Sequence, residues 1–283
     1  MGQGWIDVQV QIDMDAGEFT GLLNDPWMVG AWQEERLIHL YWPHERWTAE
    51  TQQVVAGLIQ TVSQGGSYSV HSLPDEDWNL TWARSVVPFR VGCRIVIRPS
   101  WQAAAVNPGD VELILDPKQA FGTGHHATTQ LMLEWLEAHL RGNERVLDVG
   151  TGSGILAMAA VRLGATSAWG IDHDPVAIEC AVGYAAQNGF GGELKLDTSG
   201  LADVPDAWSD VLIANLDRRT LLGLVDVFPR LLRAPGWLVI SGILSGDRSE
   251  VIDAFSRVGG APVWERERDG WLAIHFCFDQ DSR

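Results

Sequence analysis

The sequence predicts an α/β protein whose larger part is a mostly parallel β-sheet with helices on both faces. Three observations support this prediction. From residue 145 onward, short apolar strands alternate with helical segments. A glycine-rich turn at residues 150–154 joins the first of these strands to a helix. A separate run of strands with one or two helices occupies residues 1–73, which predicts a smaller α/β domain in front.

The composition limits the size of the protein and the nature of its partners. With 283 residues, of which 46% are hydrophobic, the chain can form one sizeable core and a smaller second one. Its net charge of −17, from 37 acidic and 20 basic residues, would repel an extended phosphate backbone. We therefore expect no stable binding of nucleic acid, and a basic protein or a small molecule as partner. The same acidity can also serve solubility alone.

Neither a membrane segment nor a metal site is expected from the sequence. The chain has no charge-free apolar stretch of about twenty residues, and its N-terminus lacks the pattern of a secretory signal. Its three cysteines, Cys93, Cys180 and Cys277, are far apart and have no metal-ligand or redox spacing. We therefore expect a soluble cytoplasmic protein with buried free thiols.

The first 73 residues carry the signals of a small domain. Apolar and polar residues alternate over residues 6–12, which predicts a half-buried strand. Further strands are predicted at 36–42 and 68–73. Apolar residues recur at helical spacing between Thr48, a suitable N-cap, and Gln64, so this segment is predicted to be a helix. Residues 74–115, rich in proline and tryptophan, are expected to connect this domain to the next and to pack against it.

Residues 116–283 are predicted to form the larger domain. Strands are expected at 145–149 and 168–171, and a helix at 155–163. Asp174 and Pro175 are a suitable N-cap and first residue for a helix that runs to Gln187. Later strands are predicted at 193–196, 211–214, 238–241 and 272–278. This alternation is typical of a parallel sheet covered on both faces.

The turn at 150–154 has the spacing of a nucleoside-binding loop. Gly150, Gly152 and Gly154 alternate with Thr and Ser directly after Asp148, and glycines let a ligand lie close to the backbone. Dinucleotide-binding loops have the spacing G-x-G-x-x-G instead and place a helix N-terminus at a pyrophosphate. A sulfonium nucleoside has no phosphates, so the observed spacing favours it. Asp148 could orient the loop or contact the ligand.

Two polar residues follow later strands of the same sheet. Asp172 ends the strand after the loop, where a carboxylate can accept both ribose hydroxyls. Asn215 ends a further strand, where its carboxamide oxygen can accept hydrogen bonds from an amine. We interpret Asp174 as a helix cap and not as part of the site. Gly150, Asp172 and Asn215 together favour a methyltransferase over a nicotinamide-binding oxidoreductase or a non-catalytic scaffold.

The segment LDPKQAFGTGHHATT at 115–129 closely resembles the loop before the catalytic domain of the PrmA family. That family comprises bacterial methyltransferases of large-subunit ribosomal protein eleven, and its usual form of this segment is LDPGLAFGTGTHPTT. The resemblance continues through the glycine loop, IDHDP at 171–175, ANL at 214–216 and SGIL at 241–244, and covers roughly residues 76–278.

The resemblance implies a small ferredoxin-like domain for substrate recognition, a linker, and a Rossmann-like class I methyltransferase domain with seven strands. It implies methyl transfer from S-adenosyl-L-methionine to lysine side-chain or N-terminal amines of a ribosomal protein. The implied cofactor contacts are Thr129, Gly150, Asp172 and Asn215, and Asn215 is also the catalytic candidate. We expect Thr129 to open a helix that runs to Leu140, so that its hydroxyl can face the ligand. We add Gly152 from the loop, and we expect Phe121 and Thr123 to belong to a lid over the methionine moiety.

Three departures from the family pattern leave the acceptor open. His125 and Ala127 replace Thr and Pro, which affects the stiffness of the lid. After Asn215 the chain reads LDRRT at 216–220, where the family usually has ILAGP. The acceptor could therefore be another protein, such as an electron-transfer flavoprotein subunit, or a small-molecule amine. We expect His126 to stabilise the lid and not to act as a dedicated general base.

Overall fold

The computed structural model describes residues 4–14, 16–23, 25, 27–34, 36–63, 66–73, 87–116 and 124–279, excepting the side chains at 18 and 34. The chain divides into two compact units, Met1–Val86 and Val87–Arg283. In the described parts, no helix is long and apolar enough to span a membrane.

The first unit is a four-stranded antiparallel sheet with two helices. Its elements in chain order are β1 (Trp5–Gln11), α1 (Ala16–Leu23), β2 (Gly30–Glu34), β3 (Leu37–Pro43), α2 (Ala49–Val62) and β4 (Ser67–Leu73). The strand order is β2-β3-β1-β4, with every neighbouring pair antiparallel. A βαββαβ chain order with this sheet order is the ferredoxin-like fold that the resemblance implied.

The alternation of β1 determines where the core of this unit lies. Ile6, Val8 and Val10 are buried with Ile38 and the rest of one cluster of apolar residues. Thr48 begins α2 as predicted, because its side chain accepts the backbone N–H of Thr51. The elements α1 and β2, which have only eight and five residues, were not predicted from the sequence.

A seven-stranded sheet forms the centre of the second unit. Its strands are β8 (Arg145–Val149), β9 (Ser167–Ile171), β10 (Leu194–Asp197), β11 (Ser209–Asn215), β12 (Leu232–Leu244), β13 (Ala261–Arg268) and β14 (Trp271–Phe278). They are arranged in the order β10-β9-β8-β11-β12-β14-β13. Six of these strands run in the same direction, and β14 alone runs in the opposite direction. The sheet is therefore mostly parallel, as predicted.

Helices cover both faces of this sheet. They are α3 (Ala127–His139), α4 (Ile155–Arg162), α5 (Pro175–Gln187), α6 (Arg218–Gly223), α7 (Phe228–Leu231) and α8 (Arg248–Arg257). One apolar cluster includes Met132 and Met158 from α3 and α4, and the other includes Phe228 and Phe255 from α7 and α8. The two clusters bury alternate residues of the same strands, as expected for a sheet between two helical layers.

Residues 87–115 were predicted to belong to a connecting segment, and they form a small sheet in the second unit. Its strands are β5 (Phe89–Val91), β6 (Ile95–Arg98) and β7 (Val111–Ile114). Ile97 and Leu113 are buried in the same cluster as Met132 of α3. Residues 74–86, the rest of the predicted segment, lie outside the described residues.

Candidate functional site

The site lies where the chain reverses its path across the seven-stranded sheet. From β8 the chain continues to β9 and β10 on one side, and it then returns to β11 on the other side of β8. Open α/β sheets bind their ligands at this switch point, beyond the carboxyl ends of the strands. Gly150, Asp172 and Asn215 lie at the carboxyl ends of β8, β9 and β11, so the fold brings the predicted residues to one edge.

The turn after β8 requires its glycines. Gly150, Gly152 and Gly154 have φ angles of +73°, +54° and +77°, a region that residues with side chains rarely adopt. The backbone N–H groups of Gly150 and Thr151 donate to the carbonyl of Ile171, at 2.9 and 3.0 Å. The loop is therefore fastened to the end of β9, next to Asp172.

The residue after Asn215 fits tightly against this loop. A Cβ atom on Gly150 would lie 2.3 Å from Cδ2 of Leu216, so glycine is needed for the close approach. A Cβ atom on Gly242, in β12, would lie 2.3 Å from the carbonyl oxygen of Leu216. Leu216 is thus held between two glycines, and its own N–H donates to Ser241.

Backbone N–H groups fix the carboxylate of Asp172. Its Oδ2 accepts the N–H of Gly152 at 3.0 Å, and its Oδ1 accepts the N–H of Asp174 at 3.1 Å. Each carboxylate oxygen can accept a second hydrogen bond, so both can still bind hydroxyl groups. Asp174 begins α5 as predicted, because its side chain accepts the N–H of Val176.

Asp148 lies beneath the loop and is buried. One of its oxygens, Oδ2, accepts the hydroxyl of Thr151 at 2.6 Å. Its Oδ1 is buried without a hydrogen-bond partner. Burial raises the pKa of Asp148 to about 7, although the hydrogen bond from Thr151 lowers it. The structure therefore places Asp148 as a support for the loop.

Asn215 is anchored to the start of α3. Its Nδ2 lies 3.1 Å from Oγ1 of Thr128 and 3.4 Å from Oγ1 of Thr129, and both threonines are buried. We predicted that Thr129 opens this helix, which is wrong, because α3 starts at Ala127 with His126 as N-cap. The signal was missed because histidine is not among the usual cap residues.

A cavity of about 230 Å³ opens beside Gly150 and Asp172. It is lined by residues that follow the carboxyl ends of four strands: Val149, Gly150, Ile171, Asp172, His173, Thr198, Ser199, Gly200, Leu201, Leu216, Thr220 and Leu224. Residues 198–201 were not predicted to line the site. They follow the short strand β10 and carry no glycine-rich or acidic motif of their own.

The cavity fits a nucleoside. It offers a fixed carboxylate, Asp172, for the ribose hydroxyls, and apolar side chains such as Ile171 and Leu224 for a base. Gly150 lines the cavity without a side chain, and Leu216 approaches its backbone closely. Phe121 and Thr123, predicted to form a lid, lie outside the described residues. Among the residues that the structure describes, no cluster of His, Cys, Asp or Glu could hold a metal ion.

The charged residues after Asn215 mostly have structural partners. Asp217 is the N-cap of α6, where it accepts the N–H of Thr220 at 3.1 Å. Arg218 forms ion pairs with Glu250 at 2.5 Å and with Asp247 at 3.7 Å. The ion pairs of Arg218 with Glu250 and Asp247 thus join α6 to the start of α8.

A family model described as ribosomal protein L11 methyltransferase (PrmA) matches residues 12–278. The chain belongs to the PrmA family. A ribosomal protein L11 methyltransferase from Symbiobacterium thermophilum is 40% identical over 200 residues, which cover 71% of this chain and 65% of that protein. The protein of the same name from Pseudomonas paraeruginosa is 39% identical over 244 residues, 86% of this chain and 81% of that protein.

Comparison with solved structures agrees with the PrmA assignment. The crystal structure of a ribosomal protein L11 methylase from Lactobacillus delbrueckii subsp. bulgaricus has a TM-score of 0.63 and 29% identity. The match covers 69% of this chain and 100% of the chain in that crystal structure. The predicted Rossmann-like methyltransferase fold is therefore confirmed, and S-adenosyl-L-methionine is the cofactor of this methyltransferase. A nicotinamide-binding oxidoreductase, which we had kept as an alternative, does not agree with this family.

Proposed function

We propose that this PrmA-family enzyme methylates lysine side-chain or N-terminal amino groups of ribosomal protein L11. The observation that supports this most is the anchored carboxamide of Asn215, next to the nucleoside cavity that Gly150 and Asp172 line. Such a carboxamide can hold an amine, and the names of the relatives give ribosomal protein L11 as the protein that they methylate.

The loop residues hold the cofactor. Both oxygens of Asp172 accept the ribose hydroxyls, because backbone N–H groups already orient them. Gly150 and Gly152 let the cofactor approach the backbone, and Thr129 adds a buried hydroxyl at the first turn of α3. Phe121 and Thr123, which lie outside the described residues, complete the proposed set of cofactor contacts. When bound, S-adenosyl-L-methionine supplies a methyl group that is activated by its attachment to a sulfonium.

Asn215 positions the acceptor. A lysine side chain has a reference pKa of about 10.4, so it must lose a proton before its nitrogen has a lone pair to react. Oδ1 of Asn215 accepts an N–H of the neutral amine and thereby aims that lone pair. In well-oriented reactions, such positioning can lower the activation free energy by roughly 7 kcal/mol or more. Water can carry the released proton, so no dedicated general base is required.

The substrate is a basic protein, and the small domain recognises it. Residues 1–73 serve recognition and 116–283 carry out the transfer, and the segment 74–115 connects them, with its part from Val87 onward belonging to the second unit. A net charge of −17 favours a basic ribosomal protein over an acidic partner. Because ribosomal proteins are made and assembled in the cytoplasm, the enzyme acts there.

The acceptor can be identified with radiolabelled cofactor. We expect the purified enzyme to label purified ribosomal protein L11, and to label one band of that size in ribosomal proteins from methylation-deficient cells. Mass spectrometry of the labelled protein then locates the amines. Asp172→Ala serves as the inactive control. A different labelled protein, such as an electron-transfer flavoprotein subunit, or label only in small-molecule amines, would refute the ribosomal acceptor.

A further inference from the structure

A continuous chain of hydrogen bonds joins the start of α3 to the end of β11. Nδ1 of His126 accepts the backbone N–H of Thr128 at 3.4 Å and lies 2.7 Å from Oγ1 of the same threonine. That Oγ1 in turn lies 3.1 Å from Nδ2 of Asn215. The cap of a helix is therefore linked directly to the carboxamide proposed to hold the acceptor.

The backbone N–H determines the direction of every bond in this chain. An N–H is always a donor, so Nδ1 of His126 must be the unprotonated nitrogen of a neutral ring, with its proton on Nε2. Two acceptors cannot bond to each other, so the single hydroxyl proton of Thr128 points to Nδ1. Oγ1 then has only lone pairs for Asn215, which must present its NH₂ group to it.

The surroundings of Asn215 reinforce this orientation. The second hydrogen of Nδ2 points to Oγ1 of Thr129 at 3.4 Å, so both of its hydrogens have acceptors. Both threonines are only 1% exposed, which keeps water from replacing these bonds. The ring of His126 packs edge-on against Trp271, with 4.9 Å between centroids. Oδ1 of Asn215 accepts no hydrogen bond from the described residues.

We propose that His126 is a positioning residue for methyl transfer. Its Nε2-protonated form fixes the hydroxyl of Thr128, which fixes the carboxamide of Asn215 with Oδ1 turned to the acceptor amine. This rests on the proposed function of Asn215. A proton on Nδ1 would reverse the direction of these hydrogen bonds. The hydroxyl of Thr128 would then accept a hydrogen bond from His126 and donate one to Oδ1 of Asn215. The NH₂ group would face the amine and bind the lone pair that has to attack.

Two pairs of variants separate this role from a structural one. His126→Ala removes the accepting nitrogen, whereas His126→Asn puts a carboxamide oxygen at the cap, where asparagine is a favoured residue. Thr128→Val removes the hydroxyl at nearly constant shape, whereas Thr128→Ser keeps it. We expect His126→Ala and Thr128→Val to lower kcat about tenfold, the rate equivalent of one hydrogen bond. KM for the acceptor protein should change less than about twofold.

His126→Asn and Thr128→Ser should recover most of that loss. If His126→Asn is as slow as His126→Ala, although both unfold at the same temperature, the positioning role is refuted. The same holds if Thr128→Ser is as slow as Thr128→Val.

A measurement without substrate tests the orientation itself. Long-range ¹H–¹⁵N spectra of the imidazole rings, assigned with His126→Asn, should show a bare Nδ1 and a protonated Nε2 at neutral pH. The side-chain NH₂ signals of Asn215 should shift in His126→Ala and return toward the wild-type position in His126→Asn. A proton on Nδ1 refutes the positioning role alone. Absence of methylation of any protein by the wild-type enzyme refutes the proposed function alone.

Discussion

Oδ2 of Asp172 accepts the backbone N–H of Gly152 at 3.0 Å, which ties the end of β9 to the loop after β8. The other oxygen is held by the N–H of Asp174. The carboxylate is therefore oriented before a ligand arrives, so the ribose binding proposed for it would cost little side-chain freedom.

Asp172→Ala should abolish most of the cofactor affinity. A hydrogen bond to a charged group contributes about 1.5–3 kcal/mol, so loss of two predicts at least a hundredfold increase in Kd. Calorimetry with S-adenosylhomocysteine measures this directly. The control is Asp174→Ala, which loses only a helix cap and should cost about 1 kcal/mol of stability without a change in Kd. Equal losses of affinity in both variants would contradict the ribose assignment.

Gly150→Ala should destabilise the protein and weaken cofactor binding. Its φ of +73° and the 2.3 Å approach to Leu216 together predict a loss of about 2 kcal/mol in the free energy of unfolding. Gly183→Ala in α5 is the matched control, because no atom lies within 4 Å of a Cβ there. That change should stabilise the helix by roughly 0.5–1 kcal/mol. Urea denaturation of both variants checks the contrast, and equal stabilities would contradict it.

The sequence predicted those parts of the fold in which local signals and tertiary packing agree. The helix from Pro175 to Gln187 is found with the predicted bounds, because Asp174 and Pro175 specify its start and Asn188-Gly189 its end. The strand β13 was not predicted: its residues alternate weakly and most of them are exposed, so no buried face marks it. It is held by pairing with β14, a contact that no local pattern shows.

The site was predictable where a residue type alone is informative. Gly150, Asp172 and Asn215 stand at the carboxyl ends of β8, β9 and β11, which places them at one edge of the sheet. The hydrogen bonds from Asn215 to Thr128 and Thr129 span 87 and 86 residues along the chain, so spacing could not show them. The roles of these residues in binding remain predictions that the variants described above test.

Asp148 should make the protein less stable as the pH rises. Burial raises its pKa from 3.8 to about 7, so between these values the folded chain binds a proton that the unfolded chain releases. The free energy of unfolding therefore falls with rising pH across this window, by on the order of 2–3 kcal/mol between pH 5 and pH 8. Asp148→Asn cannot ionise and should remove this part of the pH dependence. Urea denaturation at both pH values is the measurement, and an unchanged slope would contradict the prediction.

His275 should make the protein less stable as the pH falls, which is the opposite of the effect of Asp148. Burial, with His139 nearby, lowers its pKa from 6.5 to about 4, so the unfolded chain binds the proton first on acidification. Its contribution to stability is complete above pH 6.5 and is lost as the pH falls toward 4. His275→Phe, which keeps an aromatic ring beside Trp135 and Trp237, should reduce the loss between pH 7 and pH 5 by about 2 kcal/mol. Thermal unfolding across this range would contradict the assignment if both proteins lost equal stability.

The two glycines around Leu216 have a consequence for how the enzyme handles two ligands. Leu216 contacts the loop at Gly150, lines the cavity, and directly follows Asn215. Any shift of the loop on filling of the cavity would therefore reach the carboxamide through one side chain and one peptide bond. If Asn215 holds the acceptor as proposed, we expect the binding free energies of cofactor and acceptor to be coupled, and linkage then requires each ligand to change the affinity of the other by the same factor.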